Sequence, residues 1–338
     1  MEQRKIMQLG RSSLVISLPK DWLKRQNLKQ GDLVSINIIN DGSLQIAPLN
    51  FEGNDEKKIN LYVDSDQDRN VLTRSIIACY LNGYSDIKLI AKTIFTTSQL
   101  MTIRKVSKML YIRIIESDNK NVSLSALINE SKINATTYLQ RMYLISYSMC
   151  KDVFQALIDH DLNLAKNVYI MDDDVDHFYY LMTRLLKRAS LYPAIGRKID
   201  INPIDIEDYL ILISRIEHIA DHAVVIAEQL ISLEGKKFTL PKSIVELIYS
   251  VSKFVLDMYE KAFKSFFEKD INTANLVIEN LKFVEENIIK IAQESFTNPD
   301  MNPITVCSVC TMRDTVKRIA DWAVEIAEHA ITRAYFNL

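Results

Sequence analysis

Hydrophobic residues follow two different periods along this chain, and the change occurs near residue 130. From about Asn134 onward, apolar residues recur at the 3.6-residue spacing of amphipathic helices, in segments of 25 to 35 residues separated by proline or glycine. The pattern predicts six long helices, at about 134–160, 162–192, 204–233, 241–268, 271–296 and 303–335. Long helices with short connections favour antiparallel bundles.

The first 50 residues have shorter apolar runs and many turn signals. Three runs are typical of strands, namely Leu14–Leu18, Leu33–Ile38 and Leu44–Ile46, and the last two flank the hairpin turn Asn40-Asp-Gly42. The stretch Pro19–Gln26 predicts a short amphipathic helix. We therefore expect a small β-rich unit at the N-terminal end.

Residues 56–128 alternate between strand and helix patterns. The predicted strands are Ile59–Val63, Ile87–Ala91, Tyr111–Ile115 and Ser123–Ile128, and the predicted helices are Asp68–Leu81 and Ser98–Leu110. This alternation predicts a small α/β layer. The segment carries no phosphate-cradling glycine loop, nucleophile elbow or paired metal ligands, so the sequence assigns it no chemistry.

The chain is too long for one ordinary core. The predicted fold is therefore multidomain, with a β unit at residues 1–50, an α/β domain at 56–128, and helical bundles at 134–235 and 241–338.

The N-terminal unit and the rest of the chain carry net charges of opposite sign, although the total is close to zero. The whole sequence has 41 basic and 43 acidic residues, a net charge of −2. Residues 1–50 carry seven Lys or Arg and four acids, a net +3, which leaves −5 for the remainder. The N-terminal unit is therefore basic and the rest of the chain acidic.

Apolar runs and cysteine spacing indicate the compartment. No run reaches the roughly 20 residues needed to cross a bilayer, and the start MEQRKIMQLGRSS lacks the apolar core of a secretion signal. The four cysteines have no disulfide framework spacing, and the pair Cys307-x-x-Cys310 lacks the second pair that a structural zinc would need. We expect a cytoplasmic protein without membrane insertion.

The six predicted helices form two copies of three. Ile216–Ile231 matches Val316–Ile331 at an offset of 100 residues, sharing Ile-Ala-Asp, Ala-Val and Ile-Ala-Glu. A second match, at an offset of 109 residues, pairs Asp161 with Asp270 and Val175 with Val284. The repeat predicts two tandem three-helix bundles.

The stretch RIEHIADHAVVIAE resembles the signature helix of PhoU proteins, and the tandem arrangement over about residues 134–335 is similar to theirs. The resemblance implies a role in sensing or damping phosphate uptake through a phosphate-importing ABC transporter. Some members of that family hold a multinuclear iron or zinc cluster in acidic motifs, so the resemblance also raises the question of such a cluster here.

Paired carboxylates lie on one shoulder of the apolar stripe in helices two and three of the first copy. They are Asp172, Asp176, Glu217 and Asp221, each pair spaced four residues apart. Together they could form an oxygen-rich site for a divalent or trivalent metal, iron or zinc by the resemblance. The alternative is that the acids are solvated and pair with nearby basic side chains.

The second copy departs from this pattern. Leu281 replaces Asp172 and Lys317 replaces Glu217, which leaves a degraded site of Glu285, Asp314 and Asp321. We expect at most one competent metal site, in the first bundle. Three histidines lie near these acids: His177 is a candidate extra ligand, whereas His218 and His222 are expected to be exposed or interfacial.

The first 49 residues resemble the AbrB or SpoVT family and related antitoxin heads, through Gly10-Arg11, Ser12–Lys20 and Leu28–Asp32. That resemblance implies a swapped-hairpin β-barrel built from two interleaved chains, which grips DNA with basic side chains. The predicted DNA-binding residues are Arg4, Lys5, Arg11, Lys20, Lys24 and Arg25. The alternative is a module that only dimerises, with its charges solvated.

Together with these patterns, the two resemblances imply a non-enzymatic, DNA-binding transcriptional regulator of phosphate uptake and homeostasis. Its expected partners are operator DNA, a second copy in a homodimer or higher even oligomer, and a phosphate ABC transporter ATPase subunit. Two competitors stay open: a PhoU-type adaptor that does not bind DNA and negatively regulates the transporter or its signalling kinase, and a metal-dependent phosphohydrolase.

Overall fold

The computed structural model describes residues 3–38, 42–48, 57–129 and 132–336. The chain divides into two compact units, Met1–Asp55 and Glu56–Leu338. We refer to the first unit as the head and to the second as the body. Within the described residues, no helix combines the length and apolarity needed to cross a bilayer.

The head consists of two antiparallel hairpins separated by a short helix. Strands β1 (Met7–Leu9) and β2 (Ser13–Val15) pair with each other, α1 (Lys20–Arg25) follows, and β3 (Val34–Ile38) pairs with β4 (Leu44–Pro48). The two hairpins are separate two-stranded sheets, not closed into a barrel in the single chain. The predicted turn at Asn40-Asp-Gly42 lies partly outside the described residues.

One face of the β3–β4 hairpin is apolar and uncovered. Ile36 lies opposite Ile46 and Ile38 opposite Leu44, and directly opposite residues of an antiparallel pair share a face. Ile36, Ile38 and Leu44 are 60%, 80% and 61% exposed. No described residue of the head is buried, so the described part of the head leaves most of this apolar face exposed.

The body begins with the predicted α/β layer. Its elements are β5 (Lys57–Val63), α2 (Arg69–Leu81), β6 (Tyr84–Ala91), α3 (Thr97–Met109), β7 (Arg113–Ser117) and β8 (Asn121–Ser125). The sheet order is β5-β6-β8-β7, with β5 parallel to β6 and the other pairs antiparallel. Both helices pack on one face of the sheet, where their apolar residues share a core with alternate strand residues.

Local signals set the ends of these elements. The Asp68 carboxylate accepts from the backbone N–H groups of Asn70 and Val71 and starts α2. Thr96 and Gln99 form a capping box that starts α3. Tyr111, with φ of 51°, follows α3 in the left-handed region, so β7 begins at Arg113, two residues later than predicted.

Six long helices complete the described body, as the apolar period predicts. They are α4 (Ala135–Asp159), α5 (Leu162–Leu191), α7 (Ile206–Gly235), α8 (Lys242–Glu268), α9 (Ile271–Thr297) and α10 (Pro303–Tyr335). The predicted connection between α5 and α7 contains a short helix, α6 (Pro193–Lys198), and a 3-10 turn at Pro203–Asp205. The predicted class, a strand-containing head with an α/β layer and an all-α body, is confirmed.

The two predicted bundles share one continuous apolar core. Across their boundary, the hydroxyl groups of Ser146 and Tyr259 lie 2.7 Å apart. Near the C-terminal end of α10, the buried Arg333 guanidinium donates to the Asp205 carboxylate at 2.8 Å and to the Phe266 carbonyl at 2.9 Å. The repeats therefore form one packed structure.

The α/β layer docks on the outer side of α5 through a buried arginine. Arg184 on α5 is 1% exposed, and its guanidinium donates to the carbonyls of Tyr80, Gly83 and Tyr84 at the junction of α2 and β6. Carbonyls at the C-terminal end of a helix have no intrahelical partner and carry partial negative charge, so a cation suits this position. Arg184 thus links the layer to the first bundle.

Candidate DNA interface and acidic cluster

The head places its predicted DNA-binding side chains at the two ends of the first hairpin and on α1. Arg11 is exposed just after Gly10, whose φ of +72° forms the turn between β1 and β2. Lys5 is exposed at the opposite, open end of this hairpin, before β1, where Arg4 is partly buried and donates to the Ser17 hydroxyl at 2.9 Å. Of these three residues, Lys5 and Arg11 are the more accessible to a ligand.

Helix α1 presents its other predicted residues to solvent. Lys20, Lys24 and Arg25 are exposed, whereas Trp22 and Leu23 between them are partly covered. The helix therefore has a basic outer face and an apolar inner face. Because long cationic side chains on one face can reach several phosphates of a duplex, this face is suited to backbone contacts.

The four predicted metal ligands lie together where α5 packs against α7. Asp172 and Asp176 are on α5, and Glu217 and Asp221 are on α7. We call these four residues the acidic cluster. Three are partly buried, and Asp221 lies at the exposed rim.

Burial raises the pKa of every carboxyl group in the acidic cluster, and repulsion by neighbouring acids raises it further in Asp172, Asp176 and Glu217. The pKa of Glu217 rises to about 8, first through burial and then through Asp221, Asp176 and Asp172. Burial, Asp176 and Asp221 raise the pKa of Asp172 to about 7. The pKa of Asp176 rises to about 6 through burial and Asp221. Burial also raises the pKa of Asp221, although His218 and His222 oppose it. The charges in this cluster are thus poorly compensated.

The three histidines near the cluster point to different neighbours. His218 stacks on Trp322 of α10, with ring centroids 4.9 Å apart, so it is interfacial as predicted. His222 is also partly buried, and burial lowers its pKa. His177 packs instead on Tyr111 after α3, with ring centroids 3.8 Å apart. That contact turns the predicted extra ligand toward the α/β layer.

In the second bundle, a lysine ammonium stands among the equivalent acids. Lys317 Nζ lies 2.6 Å from an Asp321 carboxylate oxygen and 3.7 Å from a Glu285 oxygen. Asp314 pairs with its neighbour Arg313 at 2.7 Å. The second copy therefore compensates its carboxylates internally, whereas the first copy has Glu217 where Lys317 would be.

The acidic cluster has the donor chemistry of a hard-cation site, since carboxylate oxygens suit such ions. The side chains are not arranged as a metal site, however. Among residues 3–38, 42–48, 57–129 and 132–336, no three His, Cys, Asp or Glu side chains are grouped so that they could hold one metal ion. A cation would have to draw the carboxylates closer together.

Sequence reasoning did not identify Tyr180, which lies between the acidic cluster and the α/β layer. Burial, Asp176 and Glu217 raise its pKa to about 12. Its ring also packs against the core of the α/β layer. One sequence feature could have indicated its position: Phe178–Leu186 is apolar on more than one helix face and therefore predicts burial on two sides.

Replacing Glu217 with lysine tests the contrast between the two bundles. In metal-free protein, the raised pKa values of Glu217 and Asp172 mean that the folded state binds more protons than the unfolded state between about pH 4.5 and pH 8. The free energy of unfolding is therefore highest below the pKa values that Glu217 and Asp172 have in the unfolded chain, and it falls as pH rises through about 7 and 8. Glu217→Lys should remove most of this loss and raise the unfolding temperature above pH 8.

The measurement is thermal unfolding with a chelator present, from pH 5 to pH 9. Glu234→Lys, an exposed substitution near the end of the same helix, is the matched control and should leave the pH slope unchanged. A Glu217→Lys protein with the wild-type slope would contradict the proposed repulsion.

Two segments of the chain match known domain families. Residues 139–230 match the PhoU domain, and residues 7–53 match the MazE antidote-toxin recognition domain of bacterial antitoxins. No curated protein matches the sequence. Among solved structures, PhoU from Pseudomonas aeruginosa is similar, with 25% identity, a TM-score of 0.47, and coverage of 58% of this chain and 93% of that chain.

These matches fall where the sequence resemblances were found. The PhoU match covers α5 and most of α4 and α7, and the MazE match covers most of the head. The predicted resemblance is therefore confirmed: this chain joins a segment similar to bacterial antitoxin heads to a segment similar to PhoU proteins.

Proposed function

We propose that this protein is a cytoplasmic, DNA-binding transcriptional regulator of phosphate uptake and homeostasis. The observation that carries the proposal is the head itself, which combines an uncovered apolar hairpin face with exposed basic side chains on the first turn and α1. Its similarity to antitoxin heads supports the same conclusion. Pairing of two chains would cover the apolar face and double a net charge of +3 per head.

The basic residues would have two roles in DNA binding, contact with phosphates and contact with a base edge. Lys20, Lys24 and Arg25 on α1, with Arg4 and Lys5, would contact phosphates and position the head. Arg11 at the turn is the side chain we expect to approach a base edge, because a guanidinium can donate two hydrogen bonds to a guanine.

The body would supply the signal of phosphate sufficiency. Similarity to PhoU proteins supports this role and suggests a phosphate ABC transporter ATPase subunit as a docking partner. We further propose that the acidic cluster takes a divalent or trivalent cation, iron or zinc, because its carboxylates repel one another and the equivalent acids bind an ammonium. When bound, the metal would supply positive charge to the cluster. We assign no enzymatic activity.

Fluorescence anisotropy with a labelled promoter duplex from a phosphate-transport gene tests this proposal. The combined variant Arg11→Ala with Lys20→Ala removes four cationic contacts from a dimer. We expect binding to weaken by roughly 30-fold or more at 0.1 M salt, with a shallower salt dependence, because fewer counterions are released. Lys166→Ala, an exposed substitution on α5, is the control and should bind as wild type.

The competing adaptor function predicts the opposite pattern. An adaptor would leave the duplex unbound even at low salt, or bind it with an affinity that Arg11→Ala with Lys20→Ala does not change. It would instead retain its affinity for the transporter ATPase subunit in the absence of DNA.

A further inference from the structure

A cleft lies within the body where the α/β layer meets α5. It has a volume of about 330 Å³ and is lined by Lys57, Leu81, Asn82, Tyr84, Lys187, Arg188 and Leu191. This volume is at the lower end of the range of small-molecule pockets, roughly 300–1,000 Å³. The cleft is separate from the acidic cluster, since none of the four acids lines it.

The lining carries one sign of charge. Lys57, Lys187 and Arg188 are cationic, and none of the described residues that line the cleft is acidic, although the chain as a whole has a net charge of −2. The Asp86 carboxylate on the adjoining strand pairs with Lys58 at 3.0 Å. Lys58 follows Lys57 directly and so lies on the other face of the sheet, and a register irregularity at Ser85 places Asp86 opposite Lys58. A concave surface with charges of one sign attracts ligands of the opposite sign.

Packing of α5 against the α/β layer positions the cationic side chains. Arg184, one turn before Arg188, fixes the end of α2 to α5. Gly83 has φ of +87°, and a Cβ built there would lie 3.2 Å from Arg188 Cδ, so a glycine lets the arginine cross this turn. Lys57 Nζ lies 5.9 Å from the centroid of the Tyr192 ring at the end of α5.

The remaining lining groups limit the class of ligand. Asn82 and Tyr84 bring side chains that can donate hydrogen bonds, and Leu81 and Leu191 provide apolar walls. Cationic groups with hydrogen-bond donors suit a phosphate group, whose oxygens are charged acceptors. The apolar walls would also accommodate the nucleoside part of a nucleotide.

We propose that this cleft binds a phosphate group, either as inorganic phosphate or as part of a nucleotide. The two sources share the same recognition chemistry and differ in whether the apolar walls are used. The inference goes beyond the proposed function, because it requires neither DNA binding by the head nor a metal in the acidic cluster. It gives the body a direct site for a phosphate-bearing signal.

Isothermal titration calorimetry of the full chain tests the proposal, with sodium phosphate and ATP titrated separately at low ionic strength. The variant Lys57→Gln with Lys187→Gln removes two charges and should raise the dissociation constant of the bound ligand by roughly tenfold. The charge-conserving variant Lys57→Arg with Lys187→Arg should keep binding within about threefold, which separates loss of charge from misfolding. Lys166→Gln at the far end of α5 is the control for net charge.

The outcomes are distinguishable. Binding of phosphate and ATP with similar affinity assigns the site to the phosphate group alone, whereas preferential binding of ATP assigns it to a nucleotide. No heat with either ligand at millimolar concentration would overturn the proposal, as would unchanged affinity in the glutamine variant. If Lys57→Gln with Lys187→Gln weakens only duplex DNA, the cleft is an extension of a DNA interface and the proposal also fails.

Discussion

Replacing Arg184 with methionine is expected to lower the free energy of unfolding by about 3 kcal/mol or more. The guanidinium is buried and donates hydrogen bonds to the carbonyls of Tyr80, Gly83 and Tyr84. It also lies 4.7 Å from the centroid of the Tyr80 ring. Methionine fills a similar volume but donates no hydrogen bond, so all three carbonyls would lose this donor, although the Tyr80 carbonyl would still accept from the Gly83 backbone N–H. Each buried acceptor left unsatisfied costs about 1–3 kcal/mol.

Hydrogen exchange by mass spectrometry, beside urea unfolding, shows where this loss occurs. In Arg184→Met, amides of α2 and β6 should exchange faster, while those of α8 and α9 keep their protection, because only the α/β layer is anchored by this contact. Gln293→Met is the matched control, since Gln293 is the repeat equivalent of Arg184 at the offset of 109 residues and is exposed. Uniform loss of protection throughout the body, or none at all, would contradict the assigned role.

Replacing Ile36 and Ile38 with glutamate is expected to separate the proposed dimer into single chains. Both side chains lie on the uncovered face of the β3–β4 hairpin, at 60% and 80% exposure in one chain. Placing two charges there prevents a second chain from covering that face, because burying an unpaired charge costs far more than the apolar contact contributes. DNA affinity should fall at least about tenfold, since a single head presents half the phosphate contacts.

Gln45→Glu supplies the control for this prediction. Gln45 is in the same hairpin, one residue from Leu44 and Ile46, and alternate strand residues point to opposite faces. The control should remain dimeric by sedimentation equilibrium. If the double glutamate variant also remains dimeric, another surface holds the chains together and the hairpin face has a different role.

The sequence was sufficient to predict the helical body because its evidence is local and repeated. The 3.6-residue apolar period and the punctuation by proline placed six helices close to their observed bounds. The two repeats reinforced each other: at an offset of 109 residues, Val175 with Val284 and Met182 with Ile291 are buried pairs on α5 and α9. The predicted acidic pairs were also brought together, since α5 packs on α7.

The docking of the α/β layer on α5 could not be predicted in this way. It depends on contacts between residues about 100 positions apart, such as Arg184 with Tyr80, and no periodic signal connects them. The cationic cleft depends on the same contact, because its lysines come from β5 and α5. The role of Lys317 was likewise hidden, since sequence shows a missing acid but not that its ammonium lies 2.6 Å from Asp321.

Sedimentation velocity of the full chain mixed with a fluorescently labelled promoter duplex tests the central claim most directly, because it reports the number of chains on the DNA. We expect an even number of chains, two at the lowest saturating concentration, on each duplex at low salt, and dissociation as salt is raised. A duplex that sediments alone at low salt, or one that carries single chains, would contradict the account of a paired basic head that grips DNA.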